Sequence, residues 1–177
     1  MIETPRLWLV SASASMISDL IAKRPLQVGN VPIHVPTEWA DLWIDHPGAL
    51  EYTLNGLQHD TSLHEQGWWA YLTIHAADQT LVGMGGFKGK PDATGTVEIG
   101  YSISSPYRQQ GLATEVARGL SQFALDHADV KRVMAHTLAV DNYSNRLLKS
   151  IGFQYNGQSH DPDEGNVWQW IMDETNN

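Results

Sequence analysis

The chain has 177 residues, a formal net charge of −9 at pH 7 and no cysteine. This length suits one domain with a single core, and 42% hydrophobic against 18% charged residues predicts a folded globular protein rather than a disordered chain. The acidic balance argues against sequence-independent nucleic-acid binding, and the lack of cysteine excludes disulfides, thiolate metal sites and a cysteine nucleophile.

Two further expectations concern location and metals. Residues 1–6 lack the basic and apolar regions of a secretory signal, and no apolar run approaches the length that crosses a bilayer. We therefore expect a cytoplasmic protein without a membrane partner. The histidines lack metal-ligand spacing, so no metal site is expected. His75 and His136 fall on predicted strands and are interpreted as packing or edge residues.

The first third of the chain predicts one strand followed by helices. Arg6–Val10 has the pattern of a strand, and Ser13–Arg24 carries apolar residues at helical spacing. Residues 27–36 contain Gly and Pro and predict a loop. A helix is expected to begin after Thr37, which would be its N-cap, and a helical pattern covers Pro47–Leu57.

The remainder predicts strands with two intervening helices. The longer helix follows Gly111 and runs to about His127, and the shorter one is capped by Asp141 or Asn142 and ends near Ile151. The order predicts an α/β or α+β domain with a mixed sheet. The predicted strands are Trp68–His75, Leu81–Lys88, Thr96–Ile103, Val133–Leu138, Phe153–Tyr155 and Val167–Met172.

The turn Tyr107–Glu115 joins the strand Thr96–Ile103 to the longer helix. At such a turn several backbone N–H groups lack intrahelical partners, and the positive end of the helix dipole adds to their attraction for an anion. Gly111 lets a ligand approach the backbone closely because it has no Cβ, and Ala113 is nearly as small. The turn matches neither the G-x-G-x-x-G motif nor the P-loop. We interpret it as the binding site of a phosphate-bearing cofactor.

Four segments occur in a fixed order along the chain: Thr4–Leu9, Glu98–Tyr101, Arg108–Ala113, and Asp141–Arg146 followed by Gly152 and Phe153. Together they resemble the GNAT acyltransferase family, and within it the RimJ/RimL-like branch. The resemblance covers nearly the whole chain. It implies the GNAT fold, with a mixed, mostly antiparallel central sheet of about seven strands flanked by about four helices, and residues 1–177 as one domain.

The resemblance implies acetyl-CoA as the cofactor. Backbone N–H groups of Gln109–Thr114 would hold its diphosphate, and its pantetheine arm would pair with the end of the strand Thr96–Ile103. Val133–Leu138 would diverge from that strand and form the other wall of a wedge, where the Ile103 N–H would face the acyl oxygen. Arg108 would pair with a phosphate or lie exposed. The expected cofactor-binding residues are Tyr101, Ser102, Ile103, Arg108, Gln109, Gln110, Gly111, Leu112, Ala113, Thr114 and Asn142.

An amine acceptor is mostly protonated at pH 7 and must lose a proton before it can attack, so a base is expected. Glu98, on the central strand, is the candidate, and its alternative role is a structural carboxylate. The Tyr acid of many family members falls at Leu148 in this chain. Ser144 is therefore the candidate acid, with Tyr143 beside it as an alternative and a purely structural hydroxyl as another. Asn142 would bond the cofactor arm or simply cap the helix.

The function implied is an N-acetyltransferase that moves an acetyl group from acetyl-CoA to a primary amine, by direct attack in a ternary complex. The acceptor would be a small molecule or a peptide N-terminus. One alternative is a non-catalytic module of the same fold that binds acyl-CoA as a sensor or scaffold, and Leu148 in place of Tyr favours it. Transfer of a longer acyl group is another. Dimers are common in the family, so the resemblance also implies a homodimer.

Overall fold

A computed structural model describes residues 1–37, 48–162 and 164–174 of the chain. The strands in these ranges are β1 (Ile2–Glu3), β2 (Leu7–Ser11), β3 (Leu26–Val28), β4 (Val31–Ile33), β5 (Ala70–His75), β6 (Thr80–Phe87), β7 (Thr96–Ile103), β8 (Arg132–Leu138), β9 (Gln154–Asp161) and β10 (Gly165–Asp173). The α-helices in the same ranges are α1 (Ala14–Ile21), α2 (Ala49–His59), α3 (Ser62–Glu65), α4 (Leu112–Leu125) and α5 (Tyr143–Ser150).

Eight strands form one mixed sheet in the order β1-β2-β5-β6-β7-β8-β10-β9. Neighbouring strands are antiparallel except β7 and β8, which run parallel because α4 connects them as a crossover. β3 and β4 form a separate hairpin. The predicted mixed, mostly antiparallel sheet is confirmed. It has one strand more than expected, and five helices rather than four lie in the described ranges.

Two hydrophobic clusters lie on the two faces of the sheet. Side chains alternate between faces along each strand, so neighbours such as Leu9 and Val10 belong to different clusters. On one face α4 packs Val116 and Leu120 against β7 and β8. On the other face α1 and α2 cover β2, β5 and β6. The site described below lies at the end of β7, beyond the four positions at which β7 pairs with β8.

The prediction of a loop over residues 27–36 is wrong. β3 pairs with β4 across a two-residue turn in which Gly29 has a φ of 59°. Leu26 and Ile33 are buried, so the hairpin is held by the core beneath it rather than by the length of its strands. Strands of three residues that include a proline are too short to show a recognisable alternation.

Three predicted helices have different outcomes. The first is confirmed as α1, with Ser13 as its N-cap, but it ends at Ile21 rather than at Arg24. The helix expected to begin after Thr37 falls on residues 38–47, which lie outside the described residues. The helix predicted from Pro47 appears as α2 from Ala49 onward.

The strand predicted over Phe153–Tyr155 is much longer in the structure, where β9 covers Gln154–Asp161. Most of its side chains are exposed and polar, so no apolar alternation marks it in the sequence. β9 is a strand because it pairs along most of its length with β10.

No helix in the described part of the chain is both long and apolar enough to cross a membrane. The same residues contain no group of three or more His, Cys, Asp or Glu side chains that could hold a metal ion.

Candidate active site

The site forms where β7 and β8 part. These parallel strands pair over only four positions, Thr96–Ile99 with Arg132–Ala135. β7 then continues to Ile103 and β8 to Leu138 with no further pairing between them in the described chain. β7 remains bonded to β6, and β8 to β10, so a wedge opens between the two strands. The divergence implied by the resemblance is therefore present.

The backbone of β7 offers polar groups to this wedge. Ser104 N–H, just after the strand, donates to Val82 O at 2.8 Å, and the even-numbered residues of β7 face β6 in the same way. Because backbone groups alternate in direction along a strand, the N–H and C=O of Tyr101 and the N–H of Ile103 face the wedge. A ligand that carries amide groups can pair with them as a strand would.

The turn after β7 presents further N–H groups at the start of α4. Its N-cap is Gly111, which has a φ of 78° and makes no side-chain cap hydrogen bond. Gln109 also has a positive φ, 60°, which is uncommon for a residue other than glycine. The first intrahelical bond runs from Glu115 N–H to Gly111 O at 3.1 Å, so the N–H groups of Leu112–Thr114 lack intrahelical partners. These donors and the helix dipole suit an anion.

Arg6 and Glu115 hold this turn against the start of β2. Glu115 Oε1 accepts hydrogen bonds from Thr4 Oγ1 at 2.6 Å and from the Arg6 N–H at 2.7 Å, and its Oε2 accepts one from Arg6 Nε at 2.8 Å. Arg6 Nη1 donates to Gln110 O at 2.8 Å, which fixes the turn itself. Burial acts to raise the pKa of Glu115, but the hydrogen bonds from Thr4 and Arg6 outweigh it and hold the pKa below its ordinary value. Glu115 therefore supports the turn as an ionised group.

We expect Glu115→Gln to lower the free energy of unfolding at pH 7 by about 1–3 kcal/mol, because its charge-assisted hydrogen bonds are lost. The folded-state pKa lies below the unfolded one, so the stabilisation is present above the unfolded pKa and is lost as the pH falls through the folded pKa. Urea unfolding from pH 7 down to about pH 3 should show the difference shrinking. Glu51→Gln, at an exposed carboxylate of α2, is the control. A difference that does not change with pH contradicts this account.

A cavity of about 520 Å³ extends from the wedge to the turn, and we name it the turn cavity. Its volume lies in the range of small-ligand sites. Gln110, Thr114 and Asn142 lie outside its lining, although the first two belong to the same turn and Thr114 borders a neighbouring groove. The predicted cofactor-binding residues that line it are Tyr101, Ser102, Ile103, Arg108, Gln109, Gly111, Leu112 and Ala113.

Two arginines line the turn cavity. Arg108 Nε donates to Ile103 O at 2.8 Å, which fixes its guanidinium at the end of β7. Arg146 reaches the cavity from α5, and its Nη1 also lies 2.9 Å from Asp141 Oδ1. The sequence did not single out Arg146, although it lies one helical turn after Tyr143, which lines the same cavity. An anionic ligand would meet positive charge from two elements here.

A second cavity, of about 540 Å³, opens beside α2 on the other face of the sheet, and we name it the α2 cavity. Tyr101 and Ser102 line both cavities, so the two cavities adjoin at this end of β7. Tyr52 and Trp69 form an aromatic wall of the α2 cavity, and Lys88 lines its edge. Two ligands that enter from opposite faces can therefore meet beside β7.

Glu98 lies beside Lys88 and His136 on the face of the sheet that bears the α2 cavity. Its Oε1 contacts Lys88 Nζ and lies 3.0 Å from His136 Nδ1. Neither contact has hydrogen-bond geometry, so within the described residues this buried oxygen accepts no hydrogen bond. His136 Nε2 lies 3.4 Å from Gln169 Nε2, and acceptance of that amide proton leaves the ring proton on Nδ1, toward Glu98. His136, interpreted from sequence as a packing or edge residue, therefore belongs to the candidate site.

Tyr101 contributes a hydroxyl as well as its backbone. Its Oη is buried and has no hydrogen-bond partner among the described residues. Burial, with a smaller contribution from Tyr143, raises the pKa of Tyr101, so the phenol stays protonated at neutral pH. It is a donor without a partner in a residue that lines both cavities. The sequence predicted only a backbone role for Tyr101, because the neighbouring residues do not indicate where its hydroxyl lies in the fold.

α5 places Ser144 at the turn cavity and Leu148 in the core. Ser144 and Tyr143 both line the cavity. Leu148 is fully buried and has no proton to donate, so it cannot replace the Tyr acid of other family members. Asn142 is the N-cap of α5, and its Oδ1 accepts a hydrogen bond from the Asn145 N–H at 3.0 Å. The structure therefore shows the capping role that was weighed for Asn142.

Asn145 holds together the corner between β8 and α5. The residue is buried, and its Oδ1 accepts hydrogen bonds from Thr137 Oγ1 and, at 3.0 Å, from Trp170 Nε1. Its Nδ2 donates to Val140 O at 2.6 Å. One side chain thus joins β8, β10 and the loop before α5, and it fixes the far wall of the wedge. The sequence did not single out Asn145, because its hydrogen-bond partners are either far from it in the sequence or are backbone groups.

Comparison with known proteins identifies the family. Residues 22–154, more than half of the chain, match the family model described as an acetyltransferase (GNAT) domain. The chain belongs to the GNAT acetyltransferase family. It is 30% identical over 94 residues to the uncharacterized N-acetyltransferase YjdG of Bacillus subtilis (strain 168). That match covers 53% of this chain and 56% of the relative, so it spans little more than half of the relative's length.

Solved structures of other GNAT proteins share the fold. An acetyltransferase of the GNAT family from Bacillus anthracis has a TM-score of 0.68 at 20% identity, with 99% of each chain covered. RimL, the ribosomal L7/L12 alpha-N-protein acetyltransferase, in complex with coenzyme A, has a TM-score of 0.69 at 17% identity, with 96% of this chain and 95% of that chain covered. The resemblance to the GNAT family that the four sequence segments suggested is confirmed.

Proposed function

We propose that this GNAT protein transfers an acetyl group from acetyl-CoA to a primary amine by direct attack within a ternary complex. The acceptor is a small molecule or a peptide N-terminus. The observation that carries the proposal is the junction of the two cavities at Tyr101 and Ser102. One cavity ends at the free N–H groups of α4, and the other reaches Lys88, whose ammonium contacts Glu98. A cofactor and an amine can therefore meet from opposite faces of the sheet.

The residues of the turn cavity fit acetyl-CoA. The N–H groups of Leu112–Thr114 suit a diphosphate, and Arg108 and Arg146 add positive charge. The backbone groups of Tyr101 that face the wedge match the amides of a pantetheine arm. We propose all the turn residues from Arg108 to Thr114 as cofactor-binding, with Gln110 and Thr114 acting through their backbone. Asn142 would use only its amide N–H₂, since its Oδ1 is occupied by the cap.

Glu98 is the proposed base. When bound, acetyl-CoA supplies the acetyl group as an activated thioester. Glu98 receives the proton of the acceptor amine, directly or through a water, and typical contributions of such a group are about 10²–10⁴-fold in rate. His136 Nδ1 lies 3.0 Å from the same carboxylate oxygen. The Ile103 N–H points into the wedge, where developing negative charge needs a donor.

Three hydroxyl-bearing residues that line the turn cavity are candidates to stabilise the leaving sulfur. Ser144 is the proposed donor, with Tyr143 as the alternative, because both line the turn cavity from α5. The structure adds the buried hydroxyl of Tyr101, which has no partner in the described residues and lines the same cavity. A protonated phenol can donate a hydrogen bond without ionising.

The proposal is tested by incubating the protein with acetyl-CoA and a panel of small amines and peptides with free N-termini, and by detecting acetylated products by mass spectrometry. Transfer to at least one acceptor is the expected result. The second candidate function is a non-catalytic acyl-CoA-binding module, which the burial of Leu148 in place of a Tyr acid favours. Calorimetric binding of CoA with no transfer to any acceptor would establish that function instead.

The cofactor turn is tested by a matched pair of glycine substitutions. Gly111 has a φ of 78° at the turn, and Gly165 has a φ of 77° at the start of β10. Valine strains the backbone similarly at both positions, but only at Gly111 does it add a side chain where the anion approaches. We expect Gly111→Val to weaken CoA binding by about tenfold, roughly 1.4 kcal/mol, and Gly165→Val to leave it unchanged. Equal CoA affinities for the two variants would contradict the assignment of the turn.

We further propose one catalytic domain over residues 1–177, a cytoplasmic location and a homodimer, with neither nucleic acid nor membrane as a partner. The homodimer is proposed because dimers are common in the family. The net charge of −9 disfavours contact with nucleic acid.

A further inference from the structure

Lys88 separates the α2 cavity from Glu98. Lys88 lines the cavity and Glu98 does not, although the ammonium of Lys88 contacts the carboxylate of Glu98. The Lys88 side chain is 61% exposed, whereas that of Glu98 is 16% exposed. The ammonium of a solvated and flexible side chain therefore covers a mostly buried carboxylate on the side that a ligand in the cavity would approach.

The remainder of the α2 cavity suits an apolar body. The rings of Tyr52 and Trp69 lie 5.8 Å apart, and Trp69 Nε1 donates to Thr53 O at 3.2 Å, which holds the indole against α2. Met84 contributes a thioether chain to the lining. Gly100 leaves the floor open, since a Cβ built there would have no atom within 4 Å. Flat rings, a thioether and an open floor favour an aromatic or aliphatic group.

We propose that the α2 cavity binds a primary alkylammonium with an apolar body, and that Lys88 occupies the ammonium position at Glu98 until the acceptor displaces it. This inference rests on the proposed function, in which Glu98 is the proton acceptor. Two ammonium groups repel one another at one carboxylate oxygen, so binding of the acceptor requires that Lys88 moves away. Its four-carbon stem and exposure permit that movement. An anionic acceptor would instead lie against Glu98, which disfavours it.

The binding test uses three probes that differ only in their polar end: 2-phenylethylamine, 2-phenylethanol and 3-phenylpropionate. Their affinities are measured by calorimetry, without acetyl-CoA, for the wild type and for Lys88→Met, which keeps an apolar stem but removes the charge. We expect Lys88→Met to bind the amine about two- to fivefold more tightly, the equivalent of an exposed ion pair. Lys88→Arg keeps the charge and should resemble the wild type. The alcohol should show no change with either variant.

Gly100→Val provides a second, independent measurement. The added methyl groups enter the cavity, and we expect weaker binding of the amine and of the alcohol alike, with no fall in Tm. The proposal is overturned if Lys88→Met binds the amine no more tightly than the wild type. It is also overturned if 3-phenylpropionate binds best, or if the wild type does not bind the amine. None of these measurements requires turnover. An absence of acetyl transfer would therefore contradict the proposed function without affecting the conclusion about amine binding in the α2 cavity.

Discussion

Glu98→Gln is expected to lower kcat by about 10²–10⁴-fold while CoA affinity stays nearly unchanged. Glutamine keeps the size of the side chain but cannot take a proton from an amine at neutral pH. The carboxylate lies beside His136 Nδ1 and under Lys88 Nζ, on the face of the sheet that bears the α2 cavity. The measurement is steady-state acetyl transfer to the best acceptor of the panel, with CoA affinity determined separately by calorimetry.

A structural role for Glu98 predicts a different pattern. If the carboxylate only orders Lys88 and His136, the variant should lose stability and turn over normally in its folded fraction. Thermal unfolding of each variant therefore accompanies the kinetics. Glu115→Gln is the matched control. It removes a second carboxylate, which supports the cofactor turn through hydrogen bonds from Arg6 and has no proposed role in proton transfer. A Glu98→Gln enzyme with wild-type turnover across the pH range excludes Glu98 as the base.

Asn145→Ala is expected to lower the free energy of unfolding by about 2–4 kcal/mol. The substitution removes the buried partner shared by the Thr137 hydroxyl, the Trp170 indole N–H and the Val140 carbonyl, and the indole N–H keeps only its bond to Thr137 Oγ1. For a chain of this length that loss corresponds to a fall in Tm of about 4–15 °C. Differential scanning calorimetry measures it directly.

Asn142→Ala is the matched control for this prediction. Asn142 is also an asparagine at the start of α5, but within the described residues its side chain makes only the cap hydrogen bond with the Asn145 N–H. Loss of an N-cap costs about 1 kcal/mol. Equal destabilisation by the two variants would mean that the buried network around Asn145 adds nothing beyond the cap. The control also shows whether Asn142 contributes to CoA binding.

Local signals in the sequence predicted the central elements well. β7 was predicted with the bounds it has, because its alternation is clear and a turn precedes it. α5 begins after Asn142 and is followed by Gly152, with a φ of 106°, as its capping residues indicated. Segments without a local signal were not predicted with the correct bounds. β9 is polar and exposed, and its conformation depends on pairing with β10, which the sequence of β9 does not encode.

The cofactor side of the candidate site was predictable because it is contiguous in the chain. The turn from Arg108 to Thr114 carries its own backbone geometry, which local residue types determine. The acceptor side is assembled from distant segments. Glu98 lies opposite Met134 in the parallel register, so His136 lies two residues farther along the same face. Lys88 reaches Glu98 across the β6–β7 ladder, and neither contact leaves a trace in the sequence near Glu98.

The short region of pairing between β7 and β8 divides the sheet into two plates that are joined along a narrow seam. One plate consists of β1, β2, β5, β6 and β7, and the other of β8, β10 and β9. Their backbones join at four positions near the base, so the angle between the plates depends on α4, which packs against Ile99 of one and Val133 of the other. Buried residues of α4 such as Leu120 therefore contribute to the angle between the two plates. Core substitutions there would alter the width of the wedge as well as the stability of the protein.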